Sequence, residues 1–140
     1  MVKRFQSLVN SMDDIIFLTI AEVVEIHKDQ VDRYGGHPGI RDNDLLCSAM
    51  SGAEATYGGQ YLNTDLFEMA AAYILYPCQD HPFIDGNKRT ALAAGLVFLE
   101  VNRVSIIDKN GALYHAVMKM ALGQLGKSEM TGIPRGLVHN

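Results

Sequence analysis

The chain has 140 residues, a formal net charge of -4, and 20% charged against 48% hydrophobic residues. That balance suits a globular domain with one core and excludes a disordered tail. Its lysines and arginines are spread along the sequence, which excludes a basic field able to grip a phosphodiester backbone, so nucleic acid is not expected as a direct partner.

Cys47 and Cys78 are the only cysteines and lack the spacing of a zinc site, so both are expected to be small apolar core residues in a reducing compartment. No leader-like segment is visible, and the longest apolar runs, near 66–78 and 90–99, are too short to span a bilayer. A cytoplasmic protein without a membrane partner is the expectation.

In chain order, "DDIIFLT" reads as a short extended segment. "TIAEVVEIHKDQVDRYGG" then switches to helical spacing, with Ile20, Val23, Val24, Val31 and Tyr34 on one stripe. Thr19 and Glu22 have capping-box spacing, and Gly35 supplies a stop. "GGHPGIRDND" is a turn-rich connection, after which Asp42 caps a shorter helix carrying Leu45, Leu46, Ala49 and Met50. "GAEATYGGQYLN" reads as a loop. From Asn63 or Thr64 a third helix runs through "TDLFEMAAAYILYPC", apolar almost all round from 66 to 76 and hence buried on several sides. Pro77 predicts a kink or a helix end nearby.

A fourth helix begins just after Gly86 with "KRTALAAGLVFLEVN". "NRVSII" is a turn and a short extended piece, and Asp108 or Asn110 opens a fifth helix, "GALYHAVMKMALGQL". Residues 126–140 read as a loosely held tail of a single domain spanning 1–140. The sum is an all-α helical bundle with marginal strand content.

The stretch "CQDHPFIDGNKRTAL" joins the two most buried helices and concentrates reactive groups. A helix start offers unpaired N-H groups and the positive end of a dipole, so a Gly-Asn turn leading into Lys88 and Arg89 is a cradle for phosphate. Gly86 permits close main-chain approach, Asn87 can cap or donate, Arg89 can clamp an anion in two places, and Lys88 adds a point charge. Asp85 is suitably placed to hold Mg2+ on phosphate oxygens, and a neutral His81 could take a proton from an incoming hydroxyl. Phe83 and Ile84 are expected to anchor the loop by their apolar side chains. A lone histidine is more often structural than catalytic; the convergence of these groups on one loop is what favours chemistry.

"HPFIDGNKR" resembles the signature loop of the Fic/Doc family at every specified position, and "RYGGHPGIRD", "TDLFEMAAAYI" and "KRTALAAGLVFLEVN" resemble its shorter Doc branch, a likeness covering about residues 15–125. The resemblance implies an all-helical fold with the loop between two central helices. It implies transfer of a phosphate-containing group from ATP to a protein hydroxyl, with Mg2+. By position, His81 would be the general base, Asp85 the Mg2+ ligand, Gly86, Asn87, Lys88 and Arg89 the phosphate site, and Phe83 the structural anchor. Lys88 is the residue of the phosphorylating Doc branch, whose target is translation elongation factor Tu. Gly86, and not the Ala of that branch, is usual in members that transfer AMP, which is the alternative chemistry; Leu92 replaces a second arginine found in many of those. No built-in inhibitory helix motif is present, so the resemblance implies a separate Phd-like antitoxin as partner. Two other classes are a catalytically silent nucleotide-binding interaction module and a metal-dependent hydrolase built on Asp80, His81 and Asp85. The second lacks a further histidine or carboxylate cluster.

Overall fold

The computed structural model describes residues 14–139, and the first part of "DDIIFLT" lies outside them. Among these residues the chain forms six α-helices: α1 (Ile20–Tyr34), α2 (Asn43–Ser51), α3 (Leu66–Asp80), α4 (Asn87–Val101), α5 (Ala112–Ala121) and α6 (Lys127–Arg135). A 3-10 turn (Gly52–Glu54) and one antiparallel hairpin, β1 (Thr56–Tyr57) and β2 (Gln60–Tyr61), connect α2 to α3. The architecture is all-α, as the hydrophobic periodicity implies.

Local chemistry sets the helix limits. Thr19 and Glu22 form the reciprocal capping box at α1, and the α1 stop at Gly35 has φ 85. Asp42 accepts from Leu45 N at α2, and Asp65, not Asn63 or Thr64, caps α3 by accepting from Glu68 N. Asn63 is instead buried and donates to the carbonyls of Gly52 and Ala53, tying the hairpin back to the 3-10 turn. Both carboxylate oxygens of Asp108 accept from the first amides of α5, at Ala112 and Leu113, although the helix starts later than Asp108 or Asn110. Pro77 lies inside α3, which continues through it and ends at His81.

The helix α3 is the centre of the molecule. On one side Met69, Ala70 and Tyr73 join Val23, Leu46, Phe83, Phe98 and Leu99 in a first core cluster. On another, Ala71, Ile74 and Cys78 join Ala91, Leu113, Val117, Met120 and Met130 in a second. Small residues allow α3 and α4 to approach closely: a Cβ on Gly95 would stand 2.7 Å from Ile74 Cγ1 and 3.2 Å from the Ala70 carbonyl oxygen. The Tyr73 hydroxyl, its pKa pushed up to about 12 by burial, accepts from Leu18 N at 3.0 Å, and its ring packs on Phe98 at 4.9 Å. The segment before α1 is stitched to the end of α4 by Asn102, whose side chain accepts from Ile16 N and donates to Ile16 O.

Four expectations change. The tail expected to be loose over 126–140 folds as α6, because Met130, Thr131 and Pro134 are buried against α3, and Val138 bridges to Ile106. Cys47 is exposed on α2, since it faces away from the buried Leu46, Ala49 and Met50; only Cys78 is a core cysteine, and burial pushes its thiol up to about 11. The "GAEATYGGQYLN" loop contains a hairpin turned at Gly58 and Gly59, too short to leave a period-2 pattern. Tyr34 is exposed and not part of the α1 stripe, whose buried members are Val23 and His27.

Candidate active site

The loop 81–86 leaves α3 and enters α4, and nearly all of its polar main-chain groups are tied down. His81 closes α3 in the left-handed region (φ 50, ψ 58), and its N-H donates to the Pro77 carbonyl at 3.1 Å. A non-glycine residue there is strained by about 1–3 kcal/mol unless its surroundings fix it. The imidazole is on an exposed residue at the rim.

Phe83 is buried beneath, as the anchor role requires, and its backbone is bracketed by one side chain. Asn87 Oδ1 accepts from Phe83 N at 2.9 Å, and Asn87 Nδ2 donates to Phe83 O at 3.0 Å. The Asn87 side chain is therefore an internal brace of the loop, and what this residue offers at the mouth is its main-chain N-H. Ile84, by contrast, is 56% exposed and is no core anchor, because the alternating direction of the extended loop turns it out while Phe83 points in.

Asp85 stands at the other end of the loop. Its carboxylate accepts from Gly86 N at 2.8 Å and from His37 N at 3.2 Å, and these two bonds hold it below the ordinary carboxylate range. Gly86 then takes φ 75 and serves as the N-cap of α4 without any side-chain cap. Among the described residues the first N-H groups of α4, at Asn87, Lys88 and Arg89, have no main-chain acceptor, as at any helix start, and stand as donors at the mouth of the loop. Lys88 and Arg89 are exposed beside them. The Arg89 guanidinium lies over the Tyr34 ring at 4.1 Å and near that of Tyr114 at 5.2 Å, which limits its freedom without neutralising it.

The turn-rich segment after α1 is the loop's neighbour. Ile40 bridges to Phe83, Arg41 N and Asp42 N both donate to Pro82 O, and Ile84 N donates to Gly39 O. Gly36 has φ +114, and a Cβ there would meet Asp85 Oδ2 at 2.8 Å. So "RYGGHPGIRD" is a rigid turn and also a wall of the site.

The sequence does not mark Arg41, and it reads His27 as solvated or locally bonded, because His27, His115 and His139 show no ligand spacing; the structure overturns that for His27. His27 is buried, stacks flat on Phe83 at 3.9 Å between ring centroids, and its Nε2-H donates to Asp85 O at 2.8 Å. Its position four residues after Val23 and four before Val31 on the α1 stripe was the available signal. Arg41 donates from its side chain to the carbonyls of His81 and Asp80, and no local pattern marks it. His37 donates its main-chain N-H to Asp85.

Of the predicted residues, His81, Asp85, Gly86, Asn87, Lys88 and Arg89 all line one short loop and helix start, with Phe83 beneath them. An exposed imidazole, an ionised carboxylate and a row of donors at a helix start are the kinds of group that can handle a phosphate-bearing substrate. Among the described residues no three histidine, cysteine, aspartate or glutamate side chains cluster as a metal centre, which leaves the hydrolase alternative without its ligand set. No helix among them is long and apolar enough to cross a membrane.

Comparison with known proteins places the chain in a family. The model of the Fic/DOC family matches residues 17–99, a span that holds α1, the turn-rich wall, α3, the loop and most of α4. The chain is 33% identical over 116 residues to the protein kinase doc of Escherichia phage P1, covering 83% of this chain and 90% of that protein. It is 38% identical over 73 residues to the toxin Doc of Mycolicibacterium smegmatis, covering 52% of this chain and 56% of that one. A family match that takes in the whole loop and its supports, with a relative aligned over most of both sequences, establishes that the chain belongs to the Fic/DOC family, on its Doc branch.

Proposed function

We propose that the protein is a Doc-like toxin that transfers the terminal phosphoryl group of ATP to a hydroxyl of a target protein. The observation that carries the reading is the pairing, across one pinned loop, of an exposed imidazole with the unpaired amides of a helix start. His81 accepts the proton of the incoming hydroxyl as its oxygen bonds to phosphorus. The bond from that phosphorus to the bridging oxygen breaks, and ADP leaves. The amides of Asn87, Lys88 and Arg89, with the Arg89 guanidinium, hold the nucleotide phosphates and offset the charge that gathers on their oxygens. Lys88 adds charge where the relatives that transfer AMP carry glycine, which supports presentation of the terminal phosphate. The likeness to a protein named as a kinase supports the same chemistry.

Magnesium fits the residues present. Asp85 is exposed, its carboxylate stays ionised, and each oxygen accepts a single N-H, leaving lone pairs for a cation. One carboxylate plus substrate phosphates is the common way to hold this ion, whose part when bound is to neutralise phosphate charge. The protein partners of the reading are a hydroxyl-bearing target, with elongation factor Tu as the first candidate, and a Phd-like antitoxin whose tail folds onto the toxin.

Gly86 favours AMP transfer as the second reading, because the phosphorylating branch carries alanine there. Purified protein incubated with elongation factor Tu and ATP labelled at the gamma or the alpha phosphate separates the two. Gamma label on the target is expected, with His81→Ala lowering the rate by about 10²–10⁴-fold. Alpha label would replace phosphorylation by AMP transfer, and label from neither position on any protein of a cell extract would leave only a nucleotide-binding module.

A further inference from the structure

We infer that Arg41 is a positioning residue for the base: its guanidinium locks both peptide planes that flank His81. The inference rests on His81 acting as the base, and its geometric half stands apart from that. Arg41 Nε donates to His81 O at 2.6 Å and Arg41 Nη2 donates to Asp80 O at 2.8 Å. The first oxygen belongs to the peptide joining 81 to 82, and the second to the peptide joining 80 to 81. Holding both from one rigid, planar fork fixes φ and ψ of the residue between them.

The residue between them needs such a hold. His81 is one of two non-glycine residues with positive φ among the described residues, and its only other main-chain tie is the bond from its N-H to Pro77 O. The two carbonyls are also among the last of α3, which have no partner within the helix, and a cation at that end suits the dipole. The Arg41 main chain completes the arrangement, since its N-H donates to Pro82 O at 2.8 Å. The side chain of one turn residue thus fixes the backbone from which the imidazole projects, while the amide of the same residue holds the next peptide.

Arg41 is itself exposed, and among the described residues its guanidinium pairs with no carboxylate. Its hydrogen bonds go to the loop alone, so its loss should misdirect His81 without emptying the core. A lysine of similar reach can supply charge and one bond, but not two bonds in a fixed plane.

The test compares the wild type, Arg41→Ala and Arg41→Lys in three measurements: the rate of transfer from gamma-labelled ATP, ATP affinity by calorimetry, and the backbone order parameter of His81 by NMR. Arg41→Ala is expected to lower kcat by about ten- to a hundredfold, as for a misplaced reacting group, with ATP affinity within about twofold of wild type. The His81 order parameter should fall from about 0.85 to below about 0.6. Arg41→Lys should lie between on both scales. A parallel loss of ATP affinity would make Arg41 a nucleotide contact and overturn the inference, as would an unchanged order parameter in both variants. If the wild type transfers no label while the order parameter still falls in Arg41→Ala, positioning stands and the transfer reading fails.

Discussion

Replacing Asn87 by alanine tests whether this side chain is a brace or a phosphate ligand. Both of its hydrogen bonds, 2.9 and 3.0 Å long, are made to the backbone of the buried Phe83. Truncation leaves a buried N-H and a buried carbonyl without partners, at roughly 1–3 kcal/mol for each. A combined loss of about 2–6 kcal/mol is a large share of the roughly 5–15 kcal/mol by which a domain is stable. For a chain of this length each kcal/mol moves Tm by about 3–5 °C, so a fall of at least about 6 °C is expected in thermal unfolding followed by circular dichroism. Asn87→Asp refines the test, because it keeps an acceptor for Phe83 N but sets a second carboxylate oxygen against Phe83 O. That carboxyl is expected to have a folded pKa above its unfolded one, so the variant is penalised at neutral pH and recovers as pH falls. A Tm for Asn87→Ala within about 2 °C of wild type, together with lost ATP binding, would refute the brace and return the side chain to the phosphate.

Asp85 should titrate below the ordinary aspartate range in an NMR pH series, since Gly86 and His37 N-H groups bond its ionised form. A depressed folded pKa means that the stabilisation is present above the unfolded pKa and lost as pH falls through the folded midpoint, so wild type and Asp85→Asn should converge in acid. Gly36→Ala should raise that midpoint by pushing a Cβ to 2.8 Å from Asp85 Oδ2. Gly95→Ala should cost about 1–3 kcal/mol in denaturant unfolding by overpacking the α3–α4 contact, and an unchanged midpoint would show that the helices can separate freely there. Met130→Ala should cost about 2–5 kcal/mol, a loss expected only if α6 is part of the core.

The candidate site was legible because its residues are nearly consecutive in sequence, and the helices around it because their caps are local: Thr19 with Glu22, Asp42 with Leu45, Gly86 before Asn87. What escaped is what holds the site. Arg41 reaches back from a turn 40 positions before His81, and His27 reaches Asp85 across 58. Arg41 leaves no periodic or motif signal, and His27 leaves only its place on the buried stripe of α1. The helix α6 escaped because Gly126, Gly132 and Pro134 weaken its propensity, and packing of Met130 outweighs that. Asn87 was legible as a site residue while its task was not, because a side-chain amide can serve an anion or a neighbouring peptide equally well.

The central position of α3 bears on how the chain is made. Its burial is shared between partners that precede it, such as Leu46 and Met50, and partners that follow it, such as Ala91, Leu113 and Met130. During synthesis the helix therefore emerges with only its upstream neighbours in hand, and its other face stays wet until α6 has been translated. The ties of the loop, by contrast, come from His27, Gly39, Arg41, Asp42 and Asn87, so its partners have all emerged once α4 has begun.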